Sequence, residues 1–108
     1  MHSMDEMCVA GCTSRRGVRH WEDNDLLGVV ERSEGGTRRF TPEQLNAARI
    51  IAAAQFGGWS LEEIKQMLIE WGPEVYEALL TRLADQTRAA VRLGEQLPKP
   101  TGIREFDL

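Results

Sequence analysis

Two short runs able to form β-strands, Val29-Val30-Glu31-Arg32 and Thr37-Arg38-Arg39-Phe40, flank the loop Ser33-Glu34-Gly35-Gly36. A Gly-Gly loop between two such runs reads as a β-hairpin. A hairpin this small is not stable by itself in water, so it must lean on helices around it. The chain therefore has to build a helical body that carries a wing.

The helices are legible from their caps. Met4, Met7, Cys8 and Val9 give one buried stripe over Met4 to about Ala10. Gly11-Cys12-Thr13-Ser14 reads as a turn, with Ser14 placed to cap a second helix over about Arg15–Asp23. That helix turns Val18 and Trp21 inward and its arginines outward. Two short helices joined by a tight turn outline a helix-turn-helix. After the hairpin, Thr41-Pro42-Glu43-Gln44 supplies an N-cap oxygen, a proline at the first helical position and a capping-box partner. This helix runs through Leu45, Ala48, Ile51, Ala52 and Phe56 to Gly57-Gly58. Ser60-Leu61-Glu62-Glu63 repeats the capping pattern, Ile64, Met67 and Leu68 supply a buried face, and Trp71-Gly72-Pro73 ends the helix.

From Glu74 to about Gln96 there is no proline, and the only glycine is Gly94. Tyr76, Leu80, Leu83, Thr87, Ala90, Gly94 and Leu97 follow alternating spacings of four and three, a seam like that of a coiled coil. The spacing predicts one helix over 73–97, roughly 35 Å long. Its exposed seam calls for a partner; an antiparallel coiled-coil homodimer satisfies that need, the alternative being that the helix folds back on its own domain. The tail, 98–108, carries prolines and a glycine and reads as flexible.

The net charge of −4 argues against a general attraction to nucleic acid, but the charges are segregated. Arg15, Arg16 and Arg19 cluster, Arg38 and Arg39 are adjacent, and acids outnumber bases from Glu62 onward. No apolar run is long enough to span a bilayer, and no secretory signal is present, so a cytoplasmic location is expected. Cys8 and Cys12 could offer two ligands, but His2 and His20 are the only histidines, so no metal site and no cofactor are expected. No nucleophile, base and orienting group can be picked out, which argues against an enzyme.

Three segments resemble the MerR family of bacterial transcription regulators. Arg19-His20-Trp21-Glu22 followed by Leu26-Leu27 is similar to the family's Arg-Tyr-Tyr-Glu run and its leucine pair. Arg32 to Thr41 is similar to its wing, and Gly58-Trp59-Ser60-Leu61-Glu62-Glu63-Ile64 to its Gly-aromatic-Ser-Leu-Glu-Glu-Ile signature. There are three departures. Cys12 stands where the family usually has glycine, with Gly11 one residue early. His20-Trp21 replaces a tyrosine pair, and Thr37 replaces a wing aromatic.

The resemblance implies a mainly α fold: a winged helix-turn-helix DNA-binding domain over 4–72 followed by the dimerisation helix. It also implies a homodimer on a palindromic promoter site, with double-stranded DNA as partner and RNA polymerase as a further one. In such a domain the second helix enters the major groove and the wing grips the flanking backbone. Arg15, Arg16 and Arg19 suit the groove, because a guanidinium can bond guanine bidentately or hold phosphate. Thr13 and Ser14 at the helix start can reach phosphate, and His20 aligns with a phosphate-contacting tyrosine. Arg38 and Arg39 suit phosphate contacts from the wing, with Gly35 and Gly36 allowing close approach. Arg49 and Lys65 are candidates for peripheral contacts.

Dimerisation falls to Tyr76, Leu80, Leu83, Thr87, Ala90 and Leu97. Only about ten residues follow Leu97, leaving no visible seat for a small-molecule effector. Two other readings stand beside this one: an excisionase-like architectural DNA-binding protein, and a protein-interaction module using the long helix.

Overall fold

A computed structural model describes residues 1–100 and Phe106. The element order is α1 (Met4–Ala10), α2 (Arg15–Asp23), β1 (Glu31–Arg32), β2 (Arg38–Arg39), α3 (Pro42–Phe56), α4 (Leu61–Ile69), α5 (Pro73–Ala84) and α6 (Arg88–Glu95). Among the described residues the fold is mainly helical with one two-stranded antiparallel sheet, as expected for a MerR-like winged domain.

Caps fix the helix starts. Ser3, Thr41 and Ser60 each form a complete capping box with Glu6, Gln44 and Glu63, so two orphan backbone donors are satisfied at each site. Ser14 Oγ accepts from the Gly17 N–H at 3.2 Å and starts α2. The centre of the domain is α3, whose Ala47, Ala48 and Ile50 to Ala54 are all buried. Because α1, α4, α5 and α6 all pack against it, α3 is apolar on nearly every side rather than along one stripe. Val18 and Trp21 are buried, as the helix-turn-helix reading required. The wing pairs Glu31 with Arg39 and Arg32 with Arg38. Its loop closes by Ser33 N–H to Thr37 O (2.8 Å) and Gly36 N–H to Ser33 O (2.9 Å). Gly36 sits at φ +81°, a conformation that glycine takes without a Cβ penalty.

The segment after Gly72 departs from expectation. The single helix predicted over 73–97 is two helices, α5 and α6, broken at Asp85-Gln86-Thr87. Thr87 is not a seam residue; it is the N-cap of α6, where its side chain accepts from the Ala90 N–H at 3.3 Å. Leu83, Ala90 and Leu97 are buried within the chain, and Tyr76 and Leu80 are half-buried. A Cβ on Gly94 would lie 3.2 Å from Leu80 Cδ2, so the two helices approach closely at that glycine.

The physical reason is burial. An unpaired seam on a projecting helix would sit in water, and folding back places it on α3 and α5 at the cost of one cap and a short turn. The expected boundary at 72 also does not free this segment from the domain. Arg82 Nε donates to Gly57 O (2.9 Å), and its guanidinium lies 4.7 Å from the Trp59 ring centroid. Of the tail expected to be flexible, residues 101–105 and 107–108 lie outside the described residues. Phe106, at 5% exposure, is part of the core.

Candidate nucleic-acid interface

Ser14 presents α2 by its N-terminus, and Val18 with Trp21 pins the opposite face to the core. Arg15, Arg16, Arg19 and His20 are therefore all exposed. They are not equivalent. Arg15 reaches back to α1, with Nη2 2.8 Å from Asp5 Oδ1, and that hydrogen bond and charge raise its pKa further. No ion pair engages Arg16 or Arg19 among the described residues. His20 Nδ1 lies 3.4 Å from Asn24 Nδ2, while Asn24 also donates to the His20 carbonyl at 2.8 Å. Thr13 is half-buried and Ser14 exposed at the start of the helix.

The turn before α2 shows how the departures from the family pattern fit together. Cys12 takes φ +50°, the left-handed conformation for which glycine is favoured. Gly11, one residue earlier, is at φ −90° and is needed for space instead. A Cβ there would lie 2.5 Å from Trp21 Cη2. The larger indole at position 21 thus occupies the volume that a side chain at 11 would need.

On the wing, Arg39, Gly35, Gly36 and Thr37 are exposed. Arg38 is only half-exposed and is engaged: its Nε donates to Glu22 Oε2 at 2.7 Å. Arg32, its cross-strand neighbour, has Nη2 3.9 Å from Glu22 Oε1 and donates through Nη1 to Gly36 O at 3.2 Å. Glu22 lies in the last turn of α2, so one carboxylate holds both wing strands to that helix. Sequence reasoning placed Glu22 only within a family-like run and gave Arg32 no role. The available signal was the register of the hairpin, which puts Arg32 opposite Arg38.

Gln44 was also only partly legible. Besides closing the capping box, its Nε2 donates to Leu27 O and Val29 O, each at 2.9 Å. It therefore fixes the connection between α2 and the wing. At the N-terminus, His2 N–H donates to Phe40 O (2.6 Å), Phe40 N–H donates to His2 O (3.0 Å), and His2 Nδ1 lies 2.7 Å from Glu6 Oε2. This ties the end of the wing to α1. Of the peripheral candidates, Arg49 is half-buried and donates to Asn46 Oδ1 at 2.8 Å, while Lys65 is half-buried.

The sequence profile of the MerR HTH family of regulatory proteins matches residues 3–70. The chain belongs to the MerR family. Among curated relatives it is 31% identical over 68 residues to the HTH-type transcriptional regulator CueR of Escherichia coli O6:H1, and equally to that of Escherichia coli O157:H7. The match covers 63% of this chain and 50% of each relative, so the chain spans half the length of these proteins. No solved structure matches significantly. The matched region is the body that carries α2, the wing and α3–α4. Cys8 and Cys12 are free thiols, and no cluster of three potential metal ligands occurs among the described residues. No described helix is long and apolar enough to cross a membrane.

Proposed function

We propose that this MerR-family chain is a sequence-specific transcriptional regulator that binds double-stranded DNA as a homodimer on a palindromic promoter site. The observation that carries the DNA-binding part is the joining of α2 and the wing by Glu22 into one surface, with cations on both elements that make no ion pair among the described residues. Arg16 and Arg19 are the groove-facing candidates, with Thr13, Ser14 and His20 beside them at the backbone. Arg15 joins them when phosphate displaces Asp5. Arg39, exposed on the return strand that follows the Gly35-Gly36 loop, is the phosphate contact of the wing. Such a protein works in the cytoplasm, where RNA polymerase is its further partner, and it needs no catalytic group.

The homodimer rests on the family resemblance rather than on a coiled coil, because Leu83, Ala90 and Leu97 are already buried within one chain. That same burial favours a second reading. Without a free seam, an architectural protein that binds side by side along DNA, as excisionase-like proteins do, uses the same α2 and wing. Selection of bound sequences from random duplex DNA separates the two. A palindrome with half-sites about one helical turn apart supports the two-fold regulator. Direct repeats support the architectural protein, and no enrichment refutes both.

A further inference from the structure

Arg32 and Arg38 face each other across the wing on one side of the hairpin. Like charges directly opposite in an antiparallel pair oppose its formation. The other cross-strand pair, Glu31 with Arg39, carries opposite signs and lies exposed on the other face. The hairpin thus has one self-repelling face, and that face is turned toward α2. There the Glu22 carboxylate receives Arg38 at 2.7 Å through one oxygen and lies 3.9 Å from Arg32 through the other. The Glu22 and Arg38 side chains are about one-fifth and one-quarter exposed, so the pair is better shielded from water than the other ion pairs among the described residues.

We propose that Glu22 is a positioning residue that sets the wing against the recognition helix before DNA arrives, and that Arg38 is its strut rather than a phosphate contact. This rests on the DNA-binding reading above and deepens it. A two-stranded hairpin has little stability of its own, so its angle to α2 is decided by what it is tied to. A carboxylate between two guanidiniums supplies that tie and cancels one of their two charges. The distance between the groove-reading face of α2 and the wing tip is then fixed in the free protein. The order is not gained at the expense of binding energy. Arg39, whose side chain leaves the opposite face, is left as the wing cation that meets phosphate.

The test combines DNA binding at several salt concentrations with amide hydrogen exchange of the free protein, for wild type, Glu22→Gln, Arg38→Gln and the double variant. A strut predicts that either single variant weakens binding on the order of tenfold, as loss of a charge-assisted hydrogen bond would. The slope of log K against log salt stays at the wild-type value, and the double variant is no weaker than the singles. In free Glu22→Gln the amides of Ser33 and Gly36 exchange faster while those of α3 do not. Should Glu22→Gln fail to fold, Arg38→Gln gives the same readouts from the other half of the pair.

The proposal is overturned if Glu22→Gln tightens binding, or if Arg38→Gln lowers the slope by about 0.9, the signature of a lost phosphate contact. Unchanged exchange at Ser33 and Gly36 overturns it as well. Because exchange is read without DNA, failure of the strut and failure of the DNA-binding reading remain distinguishable.

Discussion

Replacing Arg88 by proline tests the break between α5 and α6. In the structure Arg88 is the first residue of α6, and its exposed side chain makes no ion pair among the described residues. A first-turn N–H has no helical acceptor, so proline loses nothing there and its fixed φ suits the position. The preceding residue must be extended, and Thr87 already is, at φ −95° and ψ 169°. The expected change in stability is therefore about 0.5 kcal/mol or less, or a gain of up to about 1 kcal/mol from a stiffer unfolded chain. In an unbroken helix over 73–97 the same proline would sit mid-helix, clash with the carbonyl of Ala84 and cost about 3 kcal/mol. For a domain of this size that is a fall in Tm of roughly 10–20 °C. Thermal unfolding followed by far-UV circular dichroism separates the outcomes. A melting temperature within a few degrees of wild type fits the helix pair, and a fall of about 10 °C or more refutes it. Thr87→Ala should act in the opposite sense, costing about 1 kcal/mol through loss of the cap, whereas an unbroken helix would tolerate it.

Gln44→Ala removes the acceptor for the Thr41 N–H and the donor to Leu27 and Val29 in a buried setting; chemical denaturation should show a loss of about 3–5 kcal/mol. Gly11→Ala drives a methyl into the Trp21 ring and should cost about 1–3 kcal/mol. The same change in a Trp21→Phe background should cost clearly less, because the six-membered ring of the indole is gone. Glu6 is held below its usual 4.5 by its hydrogen bond with His2 and then by the Ser3 N–H, and Glu63 below the same value by the Ser60 N–H. Their folded pKa values are lowered, so their contribution is present above about 4.5 and is lost as pH falls through the lowered values. Melting temperature against pH should therefore drop on the acid side, and the glutamine variants, which can still cap, should flatten that drop.

The helices from α2 to Ile69 were legible because each carries its own punctuation, whereas α1 was read from an apolar stripe whose Val9 is exposed and its Ser3 cap was missed. Ser14, Thr41-Pro42 and Ser60 mark starts, and Gly57-Gly58 marks a stop, all through local hydrogen bonding and backbone freedom. The break at 85–87 was not, since Asp85-Gln86-Thr87 includes no glycine or proline and the four-three spacing continues through it. An apolar stripe records that a face is buried, and the same stripe suits a second chain or the helix's own domain. Among the site residues, exposure of Arg16 and Arg19 followed from their place opposite Val18 and Trp21 on α2. Arg38 could not be separated from Arg39 by type or position alone. What divides them is the alternation of side chains along β2, which sends one toward Glu22 and the other to solvent. The double role of Gln44 depends on where Leu27 and Val29 turn their carbonyls, which no local pattern encodes.

The central claim is that α2 and the wing together form the DNA-binding surface. Its most direct test is a map of backbone amide NMR shifts as the protein is titrated with its selected duplex. The predicted result is perturbation concentrated at Thr13 to Arg19 and at Ser33 to Arg39, with Arg39 more affected than Arg38. Shifts gathered instead on the exposed faces of α5 and α6, with α2 and the wing unmoved, would contradict it.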